Sequence, residues 1–324
     1  MINSQAKLIK NVKKHQLVPT RNGYGEALLE LGQTNPDVVV LTGDLAESTR
    51  VDKFAAAYPA RFFDCGVAEQ NMMGIAAGMA LEGKIPFVSS YAVFSPGRNW
   101  DQLRVNVCYN QANVKIAGAH TGVSVGPDGA THQALEDIAI TRVLPNLTVI
   151  VPLDYEETKK ATIAAAKHAG PVYFRFAREK TPVVTTPKSP FKIGQANILK
   201  EGKDLSIIGA GPVLINAFLA AIELEKEKIS IEVINLHTIK PLDQKTILTS
   251  AQKTKRIVTI EEHQINGGLG GAVSEFLSES YPVPITRLGV SDTFGESGQP
   301  DELIAKFGLD TISIIEKIKL IINS

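Results

Sequence analysis

Phe62-Phe63-Asp64-Cys65-Gly66-Val67-Ala68-Glu69-Gln70-Asn71-Met72 passes from a short apolar run straight into a helical pattern. Residues 62–67 read as a strand, and 70–81 as a helix dense in small residues, Gly74, Ala76, Ala77, Gly78 and Ala80, which lets it approach another backbone closely. A strand that gives way at once to a helix is the repeating unit of a parallel sheet, and the same step recurs on both sides of this stretch. Residues 37–41, 85–89, 114–117, 147–151 and 172–176 are apolar runs of strand length separated by longer helical patterns. Apolar on both faces, they predict an α/β fold around a buried parallel sheet.

Between residues 181 and 194 the pattern stops, and Pro182, Pro187 and Pro190 mark a linker. A second alternating set follows at 205–208, 231–236, 256–260 and 284–289, with helical segments such as 213–227 and 270–279, and predicts a smaller α/β domain. The division is therefore 1–185 and 195–324, which suits a chain of 324 residues. Tandem repeats and low-complexity tracts are absent, so the whole chain is expected to fold apart from its first residues.

Lys and Arg total 34, as do Asp and Glu, and no long single-sign run appears. This argues against nucleic acid and membrane surfaces as partners. Cys65 and Cys108 sit in apolar surroundings without a Cys-x-x-Cys motif and read as free buried thiols of a reducing compartment. Residues 1–17 lack the continuous apolar stretch of a signal peptide, and no segment reaches transmembrane length, so a cytoplasmic location is expected.

Ligands of open parallel sheets bind beyond the carboxyl ends of the strands, where loops converge and helix amino termini offer free N–H groups. Asp44 follows the first strand, Glu69 the second, Tyr91 and Phe94 the third, His120 the fourth and Arg178 the sixth. Polar residues end strands in any α/β protein, so this collection alone favours a site only modestly. Glu69 is more pointed. A carboxyl held against close-packed apolar surface resists ionisation and can share a proton with a ring nitrogen of a bound heterocycle. It also reads as a helix-start carboxylate favoured by the helix dipole.

The segments Cys65-Gly66-Val67-Ala68-Glu69-Gln70-Asn71-Met72, Gly118-Ala119-His120-Thr121-Gly122 and Val125-Gly126-Pro127-Asp128-Gly129-Ala130-Thr131-His132-Gln133, in this order, resemble the transketolase family. The likeness runs from about Arg21 through Pro182 as the family's pyrimidine-binding domain and more weakly onward as its carboxyl-terminal domain. Missing is the family's first domain, which carries the Gly-Asp-Gly and Asn motif for a divalent metal and the cofactor diphosphate. The glycine-rich runs Gly209-Ala210-Gly211 and Gly267-Gly268-Leu269-Gly270-Gly271 read instead as tight turns, and Leu214 stands where the third glycine of a dinucleotide motif belongs. The resemblance thus implies a split enzyme. An amino-terminal transketolase subunit would ligate Mg2+ or Ca2+ and hold the diphosphate of thiamine diphosphate, this chain would ligate no metal, and the active site would form between chains. An α2β2 heterotetramer with a homodimer contact, and no turnover by this chain alone, are expected.

The same resemblance implies residue roles. Glu69 matches the glutamate that bonds the aminopyrimidine and promotes the imino tautomer, whose nitrogen deprotonates the neighbouring thiazolium carbon. Phe94 matches the aromatic that stacks on the pyrimidine, and Tyr91 another aromatic of that wall; each also reads as a core residue. Asp44 matches an acidic position near the cofactor, while Arg21, Ser48, His120 and Arg178 match positions that hold a sugar phosphate. Singly, the two arginines read equally as surface ion pairs and His120 as a strand-end histidine. Asp128 matches the reader of the hydroxyl beside the ketose carbonyl, or caps the helix near His132, which itself matches a histidine near the reacting centre. Ser95-Pro96-Gly97 departs from some relatives by shifting the spacing before Arg98 and Trp100, and Glu261-Glu262-His263 reads as a strand-end turn.

The implied reaction is transfer of a two-carbon ketol unit from a ketose phosphate to an aldose phosphate, as in the pentose phosphate pathway. Rival readings are a transketolase for an unusual ketose, a deoxyxylulose phosphate synthase-like subunit, a 2-oxo acid dehydrogenase beta chain and a non-catalytic assembly subunit. The loop 128–133 favours transketolase, and the presence of Glu69 argues against the non-catalytic reading.

Overall fold

The computed structural model describes residues 1–323. The first part of the chain forms β1 (Gln16–Pro19), β2 (Val38–Thr42), β3 (Phe62–Asp64), β4 (Ile85–Tyr91), β5 (Lys115–Ala119), β6 (Thr148–Ile150), β7 (Val172–Phe176) and β8 (Lys180–Val183). The second forms β9 (Asn197–Lys200), β10 (Leu205–Gly209), β11 (Ile231–Asn235), β12 (Thr238–Lys240), β13 (Ile257–Gln264) and β14 (Ile285–Val290). A seven-stranded sheet has the order β12-β6-β7-β5-β4-β2-β3, and a five-stranded sheet the order β14-β13-β10-β11-β9. All pairings in the larger sheet are parallel except that of β12, which crosses over from the second unit and runs antiparallel to β6.

The central strands of the larger sheet are buried along nearly their whole length because helices cover both faces. Met72, Met73 and Ala76 of the helix Glu69–Leu81 pack with Val107 on Leu41, Val88 and Ile116. On the opposite face Tyr24 and Leu28 of Thr20–Thr34, with Ala161 and Ala165 of Tyr155–Lys167, pack on Val40, Phe87 and Phe174. Full burial of each large apolar side chain contributes roughly 1.5–3 kcal/mol. The first core continues through Ile234 and Leu269 into the second unit, so the two sheets share packed surface.

Several local readings change. Cys65, expected buried, is half-buried beside the turn at Gly66, and Glu261-Glu262-His263, read as a strand-end turn, lies within β13. The strand at Phe62 ends at Asp64 rather than 67, because Gly66 turns the chain with φ 65° and the Asp64 Oδ1 accepts the N–H groups of Gly66 (2.9 Å) and Asp44 (3.0 Å). The first residues, expected outside the fold, are packed: Ala6 and Val12 are buried in the second unit's core, and the Asn3 N–H donates to the Leu199 carbonyl at 2.9 Å. Apolar Leu8 and Ile9 lie against the same core, which explains why this segment is held. The linker stretch is also ordered. β8 pairs antiparallel with β1, and the buried Asp154 carboxylate accepts the N–H groups of Val184 (2.8 Å) and Thr185 (2.7 Å). Among the described residues, no helix is long and apolar enough to cross a membrane.

Candidate active site

Strand register sets the site. Thr42 lies opposite both Asp64 and Ser89, Tyr91 opposite Ala119, and Ala119 opposite Phe176. The chain therefore leaves the sheet along one edge before Asp44, Glu69, Phe94, His120 and Arg178.

Glu69 begins its helix and is 2% exposed. It lies beside the loop after β2, since a Cβ added at Gly43 would meet its Cγ at 3.9 Å. The purely apolar setting expected for its carboxylate is not what surrounds it: Oε2 accepts from Arg98 Nη1 at 2.8 Å. The Arg98 guanidinium also lies 4.6 Å from the centroid of the Phe94 ring, over its face. Buried Asn99 fixes the backbone here, its Nδ2 donating to the Glu69 carbonyl and to Ser95 Oγ, both at 3.1 Å. Sequence reading assigned Arg98 and Asn99 no role. Their contacts with Glu69 span about thirty positions of chain, and no local spacing signals them.

Four rings form a wall beside this pair. Tyr91 stacks on His120 (centroids 3.8 Å, 27°) and on Phe94 (5.9 Å, 20°), and the His132 ring meets Phe94 edge-on at 5.6 Å and 78°. His120 is enclosed, and burial, then the charges of Arg21 and Arg178, lower its pKa to about 3. Its ring is accordingly neutral near pH 7, and its Nδ1 is buried without a hydrogen-bond partner. The Thr131 hydroxyl lies 2.9 Å from His132 Nδ1.

Arg21 and Arg178 flank His120. Arg21 Nη1 donates to the Ser48 carbonyl at 2.8 Å, while its Nε is buried and unpartnered. Burial, with Arg50 and Arg178 nearby, lowers the Arg21 pKa. Arg178 Nη1 donates to the Val125 carbonyl (3.0 Å) and lies 3.4 Å from Asp128 Oδ1, which ties the glycine-rich loop to the rim. Arg50, which no local sequence signal singles out, adds a third guanidinium to this basic group. Ser48 is half-buried and Asp44 is exposed, its backbone N–H held by Asp64. No group of three or more Asp, Glu, His or Cys side chains suited to a metal ion occurs among the described residues.

The rim thus combines an enclosed carboxylate, a flat aromatic wall, a neutral imidazole and clustered guanidinium groups. Flat aromatic rings suit a planar heterocycle, and clustered guanidinium groups suit a phosphate.

Residues 16–183 match the family model "Transketolase, pyrimidine binding domain", and residues 194–314 match "Transketolase, C-terminal domain". The chain is 46% identical over 301 residues to a putative transketolase C-terminal section of Methanocaldococcus jannaschii, covering 92% of this chain and 94% of that protein. It is 41% identical over 295 residues to a 6-deoxy-6-sulfo-D-fructose transketolase subunit of a Clostridium species, covering 91% of this chain and 92% of that subunit. A solved structure described as a split gene transketolase, inactive beta4 tetramer, superposes with a TM-score of 0.88 at 46% identity, covering 94% of this chain and 99% of the other. By contrast the chain spans about half, 49%, of the mouse transketolase that it matches at 41% identity.

Proposed function

This chain belongs to the transketolase family, and on that premise we propose that it is the carboxyl-terminal subunit of a two-chain, thiamine diphosphate-dependent transketolase. Its reaction is the transfer of a two-carbon ketol unit from a ketose phosphate to an aldose phosphate.

The observation that carries this reading is the junction of enclosed Glu69 with the Phe94–Tyr91–His120 ring wall on one rim. The buried, unpartnered His120 Nδ1 and Arg21 Nε support it, because buried polar atoms find partners and ligand oxygens would supply them. Bound thiamine diphosphate supplies the nucleophilic carbon and the electron sink. The work of this chain is to hold and orient. Glu69 would bond the pyrimidine nitrogen, Phe94 would stack on the ring with Tyr91 at another position of the aromatic wall, and Asp44 would stand near the cofactor. Arg21, Ser48, His120 and Arg178 take the sugar phosphate, Asp128 reads a hydroxyl beside the carbonyl, and His132 stands near the reacting centre. Both guanidinium groups suit phosphate through their forked donors.

On this reading Mg2+ or Ca2+ and the diphosphate belong to an amino-terminal partner subunit, the assembly is an α2β2 heterotetramer in the cytoplasm, and the reaction serves the pentose phosphate pathway. Two relatives whose length this chain nearly fills, and a similar split protein described as inactive as a β4 tetramer, support the two-chain arrangement. The similarity to the 6-deoxy-6-sulfo-D-fructose transketolase subunit favours one second reading, the same chemistry on an unusual ketose.

The test is to mix the purified chain with an amino-terminal transketolase section from the same source and pass it through gel filtration with thiamine diphosphate and Mg2+. Co-elution of both chains with retained cofactor, and no retention by this chain alone, supports the proposal. Separate elution, or full retention by this chain alone, overturns it. A panel of ketose donors offered to the assembled enzyme separates the two substrate readings.

A further inference from the structure

The loop that carries Asp128 and His132 is not held by its own domain alone. Behind it stands Glu262, near the end of β13 in the second unit and 7% exposed. The Ser124 N–H donates to Glu262 Oε1 at 2.6 Å. Gly122, at φ 83°, packs so closely on the same carboxylate that an added Cβ would stand 2.2 Å from Oε1. Further along, Gly126 (φ 79°) faces Pro300 and the Gly298 carbonyl, with an added Cβ 3.1 Å from Pro300 Cγ. Gln133 Nε2 donates to the Glu296 carbonyl at 2.9 Å. Arg175 secures the join from below, its Nη2 donating to the Ala134 and Glu262 carbonyls at 3.3 Å while its Nε pairs with buried Asp137 at 2.8 Å. On the rim side the loop is tied to Arg178.

We propose that Glu262 is a positioning residue for sugar recognition: from the carboxyl-terminal unit, its carboxylate fixes Ser124 and so sets where Asp128 and His132 stand. This rests on the site reading given above and extends it, because it assigns the second domain a part in selecting substrate. A loop with three left-handed glycines has little stiffness of its own, so its geometry comes from what it is bonded to.

The experiment compares wild type with Glu262→Ala, Glu262→Gln and Gly122→Ala in the full chain. The readouts are thermal unfolding, amide hydrogen exchange over residues 121–133, and KM and kcat of the assembled enzyme. Glu262→Ala is expected to speed exchange in this loop about tenfold and raise KM about tenfold, in keeping with the loss of one charged hydrogen bond, with kcat changed less. Glu262→Gln keeps an oxygen for Ser124 and restores most of both. Gly122→Ala pushes the loop off an intact Glu262 and reproduces the Ala phenotype, which keeps the idea testable if Glu262→Ala does not fold. Unchanged exchange in both Ala variants overturns the proposal, as does faster exchange with unaltered KM. The exchange readout requires no partner, cofactor or sugar; ketol transfer absent from every mixture, with exchange altered as described, would count against the reaction and not against the positioning.

Discussion

Glu69 Oε2 and Arg98 Nη1 lie 2.8 Å apart, and the same guanidinium covers the Phe94 ring at 4.6 Å. One half-exposed cation therefore serves both the enclosed carboxylate and the aromatic platform of the site. Removing it by Arg98→Ala leaves a carboxylate that is 2% exposed without its charged partner. The expected cost is about 1–3 kcal/mol of stability, the usual penalty for a buried group left unsatisfied. Urea unfolding of the single and double variants checks this: Glu69→Gln combined with Arg98→Ala should cost less than the sum of the two, and strict additivity would show that the pair is not coupled.

Glu69→Gln keeps the shape and removes the charge and proton exchange. In the assembled enzyme kcat is expected to fall by about 10²–10⁴-fold, the range for a proton-transfer group. The circular dichroism spectrum of the chain should be unchanged. Steady-state kinetics with saturating cofactor measures it.

Arg178→Ala removes a guanidinium from the basic cluster and also frees the Val125 carbonyl. KM for phosphorylated donors is expected to rise about tenfold or more, since charged hydrogen bonds are worth roughly 1.5–3 kcal/mol. The contrast with a non-phosphorylated ketose is the check: a donor without phosphate should lose much less.

His120 makes the fold acid-sensitive. Its pKa is lowered from an ordinary 6.5 to about 3. Above the unfolded value the ring is neutral in both states and has no effect. As pH falls through 6.5 the unfolded chain takes up a proton that the native ring refuses until about 3, so stability drops across that window. Between pH 7 and 5 the loss from this one residue is about 2 kcal/mol. His120→Asn, tolerated at a left-handed φ of 56°, should flatten the difference between urea midpoints at the two pH values.

Much of this was legible in the sequence because strand-length apolar runs and the residues after them are local signals. The run at 172–176 returns as β7, and the gathering of Asp44, Glu69, Phe94, His120 and Arg178 on one rim follows from parallel pairing, though their order along it does not, since β3 lies outside β2. What the sequence hid depends on contacts between distant segments. Arg98 meets Glu69 across a turn that shifts the local spacing, Asp64 ties two loops together, and Glu262 reaches the loop of another domain. Residues 1–12 were hidden for the same reason, since Ala6 and Val12 pack on a core built by residues some two hundred positions away.

The most direct measurement is ketol transfer from xylulose 5-phosphate to ribose 5-phosphate, with thiamine diphosphate and Mg2+, by this chain alone, by an amino-terminal transketolase section alone, and by the two together. Turnover in the mixture only, abolished when the chain carries Glu69→Ala, is the predicted result. Equal turnover by this chain alone, or full activity of the mixture with Glu69→Ala, would contradict the account that it supplies half of a shared active site.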